Sequence, residues 1–173
     1  MLMKKYYFLF FFLFFYTNSF AEEKIVYLDI NFLLIESDAG KYINSELKKI
    51  NDKNINEFKK IENEIKNEED KLLKQKNILK DEEYNSKLNL LREKYKSYQE
   101  LKNTKNNNLK ALRDNAANQI LKIINEILAE YSTKNKISLI MEKKNVIIGK
   151  TELDITKNIL ILLNAKIKKV ELK

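Results

Sequence analysis

The 173-residue chain carries 33 Lys and Arg against 25 Asp and Glu, a formal charge of +8, with 2 Gly and no Pro, Cys or His. The missing Cys excludes disulfides, thiol nucleophiles and thiolate metal sites, and the missing His removes the commonest general base and metal ligand. An enzyme is therefore not expected, and no catalytic residue, metal ligand or cofactor is assigned.

Residues 1–21 read as a secretory signal peptide. Lys4 and Lys5 give a basic start, Tyr6 to Tyr16 is an unbroken apolar and aromatic run, and Ser19-Phe20-Ala21 supplies the small residues a signal peptidase reads. An uncleaved anchor is the alternative, but this run is well short of the ~20 residues a spanning helix needs. Cleavage after Ala21 removes two lysines and lowers the formal charge from +8 to +6. The exported product is expected in the periplasm and soluble, since no Cys is available for lipid attachment. A periplasmic basic protein meets acidic polypeptides and anionic lipid surfaces rather than nucleic acid, so DNA or RNA is not expected as a partner.

Lys24 to Ile30, "KIVYLDI", has the β-branched and aromatic content of a strand. Asn31 to Ile35 follows as a short helical turn, and Gly40 is read as the point where the chain changes direction. From Gly40 to Lys134 the chain has no further Gly and is dominated by Lys, Glu, Asn, Leu and Ile, which predicts helix throughout. Phe58, Ile65, Leu72 and Leu79 are spaced at seven, with Ile61 between, and form one seam. Leu88, Leu91, Tyr95 and Tyr98 form a second, resumed at Leu109 and Leu112. The polar stretch 80–87 between them predicts an antiparallel coiled-coil hairpin over 40–134, about 60 Å long at ~1.5 Å per residue. Lys102, Lys105, Glu68 and Gln75 fall on seam positions, so the arm is expected to bend. Tyr84, near the tip and off the seam, is the candidate client-binding residue.

The remaining body is built from both ends, residues 22–39 and 135–173. Ile137 to Met141 and Val146 to Ile148 are read as two further strands joined by a turn at Lys143, Lys144 and Asn145. After Gly149, Asp154 or Thr156 caps a last helix carrying Ile155, Ile159, Ile161, Leu162, Leu163 and Ile167. The expected fold class is α+β, a long helical hairpin projecting from a small sheet. Val26, Leu28, Ile30, Ile137, Leu139, Met141, Val146 and Ile148 are the expected core and oligomerisation residues. These strands have apolar groups on both faces, and a sheet this small with open edges is best closed by joining copies of itself into a barrel. A homo-oligomer is expected; a monomer with a sandwiched sheet is the alternative.

Taken together, "KIVYLDI", the charged hairpin, "ISLIMEKKNVIIG" and "LDITKNILILLN" resemble the OmpH/Skp family of periplasmic chaperones over nearly all of the exported chain. The resemblance implies a homotrimer in which strands of three copies close a barrel and three hairpins hang around a cavity. It further implies an ATP-independent holdase for unfolded outer-membrane proteins, with an anionic lipid or lipopolysaccharide surface as a further partner. The arms match in length and character alone, so no family binding residue carries over. A coiled-coil spacer or adaptor of the cell envelope is the competing reading, against which the broken seam counts.

Overall fold

The computed structural model describes residues 23–172; the leader assigned to residues 1–21 lies outside them. The chain runs β1 (Lys24–Leu28), α1 (Ile30–Glu36), α2 (Asp38–Gln75), α3 (Asp81–Asn135), β2 (Ile137–Glu142), two 3₁₀ turns (Lys143–Asn145 and Thr151–Leu153) and α4 (Thr156–Lys166). It is mostly helical, with a two-stranded sheet. Among the described residues no helix is long and apolar enough to cross a membrane.

Two polar side chains start the first helices. Asp29 Oδ1 accepts from the Phe32 amide at 2.9 Å, and Ser37 Oγ accepts from the Gly40 amide at 3.1 Å. Ser37 ends α1 and begins α2 in one residue, with extended backbone (ψ 155°), so the turn lies there. This corrects the expectation for Gly40, which is helical and has no positive φ. Glycine is needed at 40 for closeness: a Cβ would sit 2.0 Å from the Leu34 carbonyl oxygen.

Helices α2 and α3 form the arm, and their connection puts β2 back beside β1 in parallel, the pairing that requires a long crossover. Val26 pairs with Ile140 and Leu28 with Glu142. The inner face of β1 packs Val26 and Leu28 against Leu33, Ala39, Ile43, Ile120, Ile124, Ile159 and Leu163. This core sits where the sheet, α1, α4 and the base of the arm meet. A second, separate cluster of Phe58, Ile65 and Tyr98 holds the outer arm.

The third strand is not formed. After β2 the chain tightens into the 3₁₀ turn, closed by the Val146 amide to the Lys143 carbonyl at 3.0 Å, and then leaves the sheet. Ile147 and Ile148 are 98% and 91% exposed. The other edge of β1 is met instead at one point, where Tyr27 bridges Asp154 and the Ile155 amide donates to the Tyr27 carbonyl at 2.9 Å. Three residues folded back on β2 would still leave an apolar face uncovered in a lone subunit, so a hairpin here gains little. After α4 the chain continues past the expected helix: Val170 is buried in the main core, and Lys169 lies 5.3 Å over the Tyr42 ring.

Candidate interaction surfaces

The sheet has one covered face and one open one. On the face away from the helices, Ile25 lies beside Leu139 and Tyr27 beside Met141, and Ile25, Leu139 and Met141 are exposed. Tyr27 escapes because the loop after β2 folds onto it. Its hydroxyl donates to the Lys150 carbonyl at 3.1 Å, and Gly149 is so close that a Cβ there would stand 2.6 Å from the ring. Of the expected body residues, Val26 and Leu28 are buried and Ile30, Ile137 and Val146 half-buried, while Leu139, Met141 and Ile148 face outward. Among the described residues no strand pairs with the outer edge of β2.

Asp154 locks the end of this sheet. Its Oδ1 accepts from the Thr156 amide and hydroxyl, and the Thr156 hydroxyl in turn accepts from the Asp29 amide at 2.9 Å. Its Oδ2 pairs with Lys143 Nζ at 2.7 Å. Burial alone would raise the carboxyl's pKa, but the Lys143 ammonium and the two Thr156 donors outweigh it and hold it below its ordinary value. One carboxylate thus ties together the ends of β1 and β2 and the start of α4, without being the N-cap itself, which is Ile155.

Along the arm, Phe58, Ile65, Leu72 and Tyr98 are buried and Leu79, Leu88, Leu91, Leu109 and Leu112 half-buried. Tyr95 is the exception, 54% exposed. Its seam place is taken by Lys94, whose aliphatic stem crosses the arm to reach Glu68 at 2.7 Å and Glu64 at 3.8 Å. Lys105 and Lys102 are likewise paired across the arm, with Glu57 at 3.1 Å and Glu62 at 3.8 Å, while Gln75 is exposed. Tyr98 donates to Glu62 and lies edge-on to Phe58, with Lys102 Nζ 5.6 Å from its ring. Burial, with the Glu62 carboxylate, pushes the Tyr98 phenol upward in pKa. Between the two clusters sits a buried polar residue, Asn54, seven after Leu47.

Tyr84 is half-buried in the first turn of α3. The open apolar groups at the tip are ones the periodicity did not single out: Ile78 at 80%, Leu90 at 68%, and Leu73. They could have been found as apolar residues off the heptad, Ile78 in a connection and Leu73 and Leu90 next to seam residues. Among the described residues no three Asp or Glu side chains gather as a metal site.

A family described as "Outer membrane protein (OmpH-like)" matches residues 24–163. A crystal structure from Caulobacter crescentus, assigned provisionally as an outer membrane chaperone (OmpH-like), superposes with a TM-score of 0.78 at 18% identity, covering 87% of this chain and 89% of that one. No curated protein matches.

Proposed function

The chain belongs to the OmpH-like family, and from that premise we propose that it is an ATP-independent periplasmic holdase working as a homotrimer. Its clients would be unfolded outer-membrane proteins, which it keeps from aggregating after export. The supporting observation is the open sheet face of Ile25, Leu139 and Met141 beside a strand edge with no partner. Exposed strand edges of this kind promote self-association, and copies joined there would bury the face and aim their arms the same way.

Binding many sequences and releasing them calls for numerous weak contacts rather than one deep pocket. A basic, ion-paired arm meets this need, its net positive charge drawing in acidic chains and its flexibility fitting them. The spacer reading has less support, because a spacer gains from a continuous apolar stripe whereas this seam is crossed by the Lys94, Lys102 and Lys105 pairs.

The test dilutes an unfolded outer-membrane barrel protein out of denaturant, with and without this protein and without nucleotide, and follows light scattering. Suppression at near-stoichiometric amounts is expected. Undiminished scattering in its presence contradicts the holdase reading.

A further inference from the structure

The end of α2 and the connection beyond it carry lysines and aliphatic residues, with Asp81, Glu82 and Glu83 following at the start of α3. Residues 71–80, "KLLKQKNILK", hold four lysines and four aliphatic residues with no acidic residue. Among the described residues Lys71, Lys74, Lys76 and Lys80 make no ion pair, whereas the lysines of the arm's middle, Lys94, Lys102 and Lys105, are all paired across it. Leu73 and Ile78 stand exposed among these lysines, and Leu90 faces out from α3. Below them the two helices part to leave a groove of about 340 Å³ floored by Leu72, Leu90 and Leu91. Elsewhere on α2 the exposed large apolar residue is Ile55, well down the arm.

Resting on the holdase reading, we infer that the tip is a discrete grip for extended polypeptide segments in which aliphatic and acidic side chains alternate. The unpaired lysines would meet the carboxylates, and the groove would take the aliphatic side chains. Two features favour a polypeptide over a membrane as the occupant. A recess between two helices admits side chains singly, which a flat bilayer cannot offer. And the tip is a short turn bearing one exposed isoleucine, not an amphipathic helix that could lie in the headgroup region.

The chain has no Trp, so a single introduced one reports on the tip alone. The experiment places Ile78→Trp in the purified protein and titrates it with a Trp-free peptide of alternating Val and Glu, with its Val and Lys counterpart, and with anionic phosphatidylglycerol vesicles. Leu90→Trp serves as a second reporter should the first misfold. The expected result is a blue shift with the Val and Glu peptide alone, at an affinity weakened about tenfold or more when Lys71, Lys74, Lys76 and Lys80 are changed to Glu. A shift with vesicles and not with the peptide would overturn the inference in favour of a lipid surface. Equal shifts with both peptides would overturn it as well. No shift in a protein that still suppresses client aggregation removes the tip grip and leaves the holdase standing, whereas no shift in the reporter protein together with no suppression by it or by its unsubstituted parent removes both.

Discussion

Single residues carry sharp expectations at three places, Asp154, Gly40 and Lys136, where a charge partner, a close backbone contact or a left-handed φ sets what the position favours. Asp154 is held below its ordinary pKa by Lys143 and Thr156, so its ionised form favours the fold. That contribution is complete above the unfolded pKa of about 3.9 and is lost as pH falls through the lower folded value. Asp154→Asn should cost about 1–2 kcal/mol at neutral pH and flatten the decline in stability below about pH 4, read from urea unfolding across pH. Gly40→Ala drives a methyl into the Leu34 carbonyl and should cost about 1–3 kcal/mol, whereas a hinge glycine at an ordinary φ would tolerate Ala. Lys136 ends α3 at φ 53°, the left-handed region, so Lys136→Gly should stabilise by about 1 kcal/mol. Thermal or denaturant unfolding of these two variants gives opposite signs.

At the scale of elements the arm consists of two apolar clusters separated by the polar layer of Asn54, Glu57 and Lys105. Phe58→Ala removes the centre of the outer cluster and should loosen the arm by about 3 kcal/mol. Hydrogen exchange should then speed up along residues 58–98 and stay unchanged at Ile120 and Ile124, because clusters that do not touch open separately. Equal acceleration at the base would show that the arm is one cooperative unit. The heptad was legible from Phe58, Ile65 and Leu72 because a seam repeats and repetition survives in sequence. Tyr95 was misplaced because the three-and-four count cannot tell a tyrosine on the seam from a lysine whose stem fills it. Asn54 was readable in principle, seven beyond Leu47, but a polar residue on a seam draws no attention from an apolar pattern.

For the whole molecule, the sheet is where sequence reasoning was least sufficient. Val146, Ile147 and Ile148 look like a strand by composition, yet the 3₁₀ turn at Lys143–Asn145 carries them away from the free edge of β2, and composition does not show the direction of a turn. The tail burial of Val170 was equally hidden, since an isolated valine among lysines has no period. The open face of Ile25, Leu139 and Met141 makes self-association the central physical expectation. Leu139→Glu places a charge on that face without touching the core and should reduce the assembly to single chains in sedimentation while helical circular dichroism persists. The most direct measurement is sedimentation of the protein mixed with one unfolded outer-membrane barrel protein. One complex of three chains and a single client is the result this account predicts, and a client that sediments with one chain, or apart from a lone subunit, would contradict it.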